Sequence, residues 1–212
     1  MNPGPTLPRR AAAEFLGTAF LLAVVVGSGI MGERLSGGSS AIALLANTLA
    51  TGAGLIALIL TFGPISGAHF NPLVTLSSAV AGTLRRGDIL PYVLAQFLGA
   101  GCGVFAAHVM FEISGFSWSR HARTGASQAF SEFVATFGLL AVIHSGSRHR
   151  PATVPFAVGA YITAAYWFTA STSFANPAVT LARSLTDTFA GIRPVDVPLF
   201  VAAQVSGAIA AG

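Results

Sequence analysis

Two asparagine–proline pairs carry the most suggestive chemistry in this sequence: Asn71-Pro72-Leu73 and Asn176-Pro177-Ala178, each running on into Val-Thr-Leu. Asparagine is a favoured helix N-cap, and proline at the first helical position gives up no N–H that the helix needs. Each motif therefore starts a helix, and the positive end of its dipole, together with the asparagine amide, offers hydrogen-bond donors to whatever lies ahead. A single such pair reads as a turn; two copies, each preceded by a loop of small residues, reverse that reading. No catalytic set accompanies them. There is no nucleophile with a base, no cluster of His or Cys, and no carboxylate pair placed around a shared substrate. His69, beside the first motif, has no second ligand at metal-binding spacing.

The two motifs sit in a longer repeat. AEFLGTAFLLA at 13–23 matches SEFVATFGLLA at 131–141, pairing Glu14 with Glu132, and Ala-Gln-xx-Gly-Ala recurs at 95–100 and 203–208, pairing Gln96 with Gln204. A carboxylate inside an apolar span costs about 2.5–3.5 kcal/mol on insertion scales, so each glutamate requires a reason to be there. A proton relay is one reading. The symmetric placement favours another, in which Glu14, Glu132, Gln96 and Gln204 are buried structural residues. Gly99, Gly103 and Gly207 then mark close helix crossings.

These residues need elements that hold them in a bilayer. The chain has 212 residues, 53% hydrophobic and 8% charged, too few ionised side chains to cover a water-soluble globule. Its surplus of +4 comes from arginines between apolar runs, not from a basic patch on a polar domain, which excludes a nucleic-acid partner. Apolar runs predict six spans near 12–32, 40–62, 89–111, 126–145, 154–172 and 197–212. The segments 66–82 and 173–190 are too short and interrupted to cross, and read as re-entrant, because irregular backbone at membrane depth is tolerated only inside protein or beside a wet cavity. The first run reads as a retained span, not a cleaved signal peptide. The sixth reads as truncated. Cys102 is a packing residue. The expected fold is all-α, one domain over 1–212 with halves at about 11–111 and 126–212. Three spans per half make the repeat inverted, so the two motifs approach the midplane from opposite faces.

Taken together, ISGAHFNPLVT at 65–75, SFANPAVT at 173–180, the two Glu-xxx-Thr pairs and the two Gln-xx-Gly pairs resemble the aquaporin and aquaglyceroporin family, the major intrinsic proteins, over nearly the whole chain. The resemblance implies six tilted helices and two half-helices per protomer, a homotetramer with one pore per protomer, and passive passage of small neutral solutes without cofactor or metal. It implies that Asn71 and Asn176 donate to the permeant at the midplane. Carbonyls of Gly67, Ala68, His69, Ser173, Phe174 and Ala175 would replace lost hydration, and the buried glutamates would hold the loop N–H groups.

The sequence also departs from the family. Val179 stands where most relatives carry a filter arginine, and the family's counting places the other constriction positions on Thr51, Ala164 and Ser173. All four are small, which implies a wide filter passing polyols, urea-like solutes and neutral metalloid hydroxides such as arsenous acid, as some bacterial relatives do. Arg183, one turn beyond Val179, is expected to lie away from the constriction. Leu73 replaces the usual alanine and narrows or shifts the midplane. The loop 111–125 reads as a headgroup anchor in preference to a vestibule element. A water-selective channel, an ion-coupled transporter and a purely structural junction protein are the alternatives. The expected location is the plasma (inner) membrane with both termini cytoplasmic, which puts six arginines inside and five outside.

Overall fold

The computed structural model describes residues 4–212 and, among them, no β-strand. Eight helices follow in order: α1 Leu7–Leu35, α2 Ser40–Ser66, α3 Pro72–Val80, α4 Ile89–Met110, α5 Ala126–His149, α6 Val154–Phe168, α7 Pro177–Arg183 and α8 Val197–Ala211. Single turns of 3-10 helix lead into α4, α6 and α8. Five helical segments are long and apolar enough to cross a bilayer. α6 has 15 residues and ends at Phe168, short of the expected 172. The next residues are needed elsewhere: Thr172, Ser173 and Ala175 take left-handed backbone angles, with φ of 60°, 49° and 49°, to carry the chain back toward the middle.

α1 packs on α2 and α4, α5 on α6 and α8, and α2 crosses to α6, so the two halves share one core. Large apolar side chains such as Phe20, Leu49, Leu98, Phe130 and Phe156 remain on the outside, as a lipid-facing surface requires. The repeat extends to charges at the helix entries. Asp88, before α4, accepts from Arg10 at 2.9 Å and Arg85 at 3.1 Å; Asp196, before α8, accepts from Arg193 at 3.0 Å. Burial alone would raise both carboxyls, but the arginine hydrogen bonds overcome it and hold both below the usual carboxylate range.

Glycines set the closest crossings. A Cβ on Gly99 would overlap the Phe15 carbonyl oxygen, and one on Gly207 would overlap that of Phe133, the same contact in each half. Gly101, two residues from Gly99, faces open space. Gly99→Ala and Gly207→Ala are each expected to destabilise by about 1–3 kcal/mol through forced backbone shifts. Gly101→Ala should leave the melting temperature of the detergent-solubilised protein unchanged or slightly raised.

Candidate functional site

α3 and α7 begin where the sequence predicts. Asn71 Oδ1 accepts from Leu73 N at 2.9 Å, and Asn176 Oδ1 accepts from Ala178 N at 3.0 Å and Val179 N at 3.3 Å, with Pro72 and Pro177 at the first helical positions. The two N-termini meet. Asn71 Nδ2 donates to the Ala175 carbonyl and Asn176 Nδ2 to the Phe70 carbonyl, both at 2.8 Å, so each cap is locked to the loop of the other half. An amide nitrogen carries two hydrogens, and this exchange uses one from each. Both asparagines line a cavity of about 1450 Å³.

The loops ahead of the caps are held by the glutamates. Glu14, fully buried, accepts from His69 N at 2.9 Å and Phe70 N at 2.7 Å, as well as from Ser66 Oγ and Gln96 Nε2. Glu132 accepts from Phe174 N and Ala175 N, both at 2.8 Å, and from Gln204 Nε2 at 2.6 Å. In a trans peptide the N–H and the preceding C=O point oppositely. Drawing those four N–H groups to the carboxylates therefore turns the carbonyls of Ala68, His69, Ser173 and Phe174 the other way, and all four residues line the cavity. The backbone repeats this device: Ala68 and Phe70 in one loop, Ser173 and Ala175 in the other, have φ near 50°. Such angles cost on the order of 1–3 kcal/mol each for non-glycine residues and persist only when the surroundings over-determine them. Of the other two expected carbonyl residues, Gly67 lines the cavity and ends α2 in the left-handed region at φ 91°, while the Ala175 carbonyl is taken by Asn71.

Gln96 and Gln204 hold the glutamates in turn and donate as well to Thr75 Oγ1 and Thr180 Oγ1, each at 2.8 Å. The sequence reading missed these threonines, although both motifs carry one at the same place. Leu73 is buried and lines the cavity.

Of the four residues expected at the constriction, Thr51, Ser173 and Val179 line the cavity; Ala164 does not, and lies exposed on the outer side of α6. The reason is helical phase. Val158, Ile162 and Tyr166 recur every four residues and form the inward stripe, and Ala164 is two positions from the last two of these, about 200° around the helix. Counting back from the motif, as the family does, misses this phase. Tyr166 is therefore the α6 residue beside Thr51, its hydroxyl 3.4 Å from Thr51 Oγ1, and the set is not uniformly small.

The loop 111–125 is no simple anchor. Trp118 is exposed, but Ser117 N and Ser119 N donate to the Leu185 and Ser184 carbonyls, and Arg193 N donates to the His121 carbonyl. Arg123 is 7% exposed and donates to the carbonyls of Gly191 at 2.8 Å and Ser171 at 3.0 Å, and to Thr172 Oγ1 at 3.3 Å. Burial pulls its pKa down to about 10, which leaves it protonated at neutral pH. Arg123 thus ties this loop to the strained segment ahead of Asn176. Arg183, expected to lie away from the constriction, is buried and, like Val179, lines the cavity.

Comparison with known proteins agrees with this architecture. The family profile described as Major intrinsic protein matches residues 4–173. The chain is 56% identical over 205 residues to aquaglyceroporin AqpS of Rhizobium meliloti (strain 1021), covering 97% of this chain and 88% of that protein. It is 32% identical over 167 residues to aquaporin NIP3-1 of Oryza sativa subsp. japonica, covering 76% of this chain and 53% of that one. Its fold matches the X-ray structure of the aquaglyceroporin from Plasmodium falciparum with a TM-score of 0.74 at 22% identity, over 97% of this chain and 93% of that one.

Proposed function

The chain belongs to the major intrinsic protein family, whose members are passive channels for small neutral solutes and not enzymes, and from this premise we propose that the cavity past Asn71 and Asn176 is its solute path, open to molecules larger than water. The observation that carries the reading is the paired hydrogen-bond exchange between the two caps. It fixes both asparagines at one level and leaves each amide a second hydrogen for a permeant oxygen. The carbonyls of Ala68, His69, Ser173 and Phe174 accept from the permeant's hydroxyl or water hydrogens in sequence. Converging positive helix ends disfavour cations and orient a central water so that it donates outward on both sides, which breaks a proton file.

Selectivity follows from the residues around Val179. Where a filter arginine would fill the passage and fix a water, valine leaves space beside Thr51, Ser173 and Tyr166. Glycerol-like polyols, urea-like solutes and neutral metalloid hydroxides such as arsenous acid are the solutes this passage accommodates. The printed name of the AqpS relative, an aquaglyceroporin, supports the polyol end of that range. In the same reading the protein works as a homotetramer in the plasma membrane with both termini cytoplasmic. Stopped-flow light scattering on proteoliposomes tests the size range: water, urea and glycerol should all equilibrate faster than in protein-free vesicles, with arsenous acid uptake raised in parallel. Fast water with excluded glycerol and arsenous acid would make this a water-selective channel and end the proposal.

A further inference from the structure

A guanidinium largely withdrawn from water is costly unless acceptors or counter-charges surround it. Arg183 is 2% exposed, yet among the described residues no carboxylate pairs with it. Its Nε donates to the Ala190 carbonyl, and its Cζ lies 3.4 Å from the centroid of the Phe174 ring. No hydrogen bond among the described residues engages its two terminal amino groups, and the residue lines the cavity. The neighbouring Arg123 differs. Its Cζ lies 5.0 Å from the Phe174 ring centroid, but its Nε and Nη1 are committed to the Gly191 and Ser171 carbonyls. Two cations thus lie against one aromatic ring, and one of them lines the passage.

We propose that Arg183 is the charge-selecting residue of the mouth beside the 111–125 loop, placed one turn beyond Val179, where its charge turns cations away while neutral solutes pass. The wide passage at Val179 then keeps its room for large neutral solutes without becoming a cation leak. Two like charges about 5 Å apart at an effective dielectric of 20 repel enough to change occupancy on the order of a hundredfold. Phe174, stacked under the guanidinium, keeps the group from folding back into the protein.

The inference rests on the reading of the cavity as the solute path, and one pair of probes separates the two. Urea and guanidinium are both small, planar and similar in size, and differ in charge. Wild-type proteoliposomes should pass urea and exclude guanidinium by about a hundredfold or more. Arg183→Gln should raise guanidinium flux tenfold or more while urea flux changes less than about threefold. Arg183→Lys should retain exclusion near neutral pH and lose it at strongly alkaline pH, where guanidinium itself stays charged. Absence of urea flux in the wild type overturns the path and this inference together. Urea flux with equal guanidinium flux overturns the role of Arg183 alone. So does a folded Gln variant as selective as the wild type, or, if that variant does not assemble, a Lys variant whose exclusion is indifferent to pH.

Discussion

Glu132→Gln is expected to lower solute flux tenfold or more and to destabilise the protein by roughly 2–5 kcal/mol, the cost of leaving buried donors without an acceptor. The carboxylate is fully buried and accepts from three donors: Phe174 N, Ala175 N and Gln204 Nε2. Glutamine of the same shape keeps one oxygen and presents an NH2 group where the other oxygen stood, so a donor faces a donor. The loop it holds contains Ser173 and Ala175 in left-handed conformations, which have no reason to persist once the anchor weakens. The carbonyls of Ser173 and Phe174 then lose their direction, and Arg123 loses the buried anion within its electrostatic reach. Glu14→Gln should behave alike, since Glu14 accepts from His69 N and Phe70 N in the other half. Melting temperature and glycerol flux measured together decide between this structural role and a proton relay. A relay would give a normally folded Glu132→Gln protein whose flux loses dependence on a proton gradient.

The second large effect is at Val179. Its side chain lines the cavity, as do Thr51 and Tyr166, and its backbone N–H is held by Asn176 Oδ1, so the position is fixed at the first turn of α7. Val179→Arg fills the passage and adds a cation four residues from Arg183, on the same helical face, where like charges repel. The new guanidinium is thereby directed into the open space. Glycerol flux should fall tenfold or more, and water flux by less than about threefold, because a single-file water needs less width and can use the added donors. Val179→Leu separates size from charge: a smaller loss of glycerol flux with unchanged exclusion of guanidinium is the expected outcome. Glycerol flux unaffected by Val179→Arg would place the narrowest point elsewhere, with Leu73 the next residue to vary.

The parts of this structure that repeat were legible in the sequence. Asn71 and Asn176 cap helices because Asn-Pro has a local preference that no tertiary contact needs to create, and Glu14 and Glu132 were visible as charges in apolar spans. The parts that depend on helical phase and on loop packing were not. A fixed offset from Asn176 points to Ala164, whereas the angular position of a residue on α6 is set by the four-residue stripe of Val158, Ile162 and Tyr166. The loop 111–125 has the aromatic and basic residues of a headgroup anchor, and nothing local says that Arg123 will be drawn inward by the carbonyls of Ser171 and Gly191. Those acceptors lie 48 and 68 residues away in the chain. Arg183 does lie one turn past Val179, as its spacing implies, but nothing local says that its long side chain will lie on Phe174 and line the cavity.

If solutes travel through the cavity beside Val179, an obstruction placed there must stop them. A covalent plug supplies that obstruction. The chain has one cysteine, Cys102, exposed on α4. In a Cys102→Ser background, Val179→Cys should yield a glycerol-conducting protein that a thiol-reactive methanethiosulfonate reagent blocks almost completely, with flux restored by reductant and with no effect of the reagent on Cys102→Ser alone. Stoichiometric labelling of Val179→Cys that leaves glycerol flux intact would rule this path out, because solutes would then be crossing by some other route.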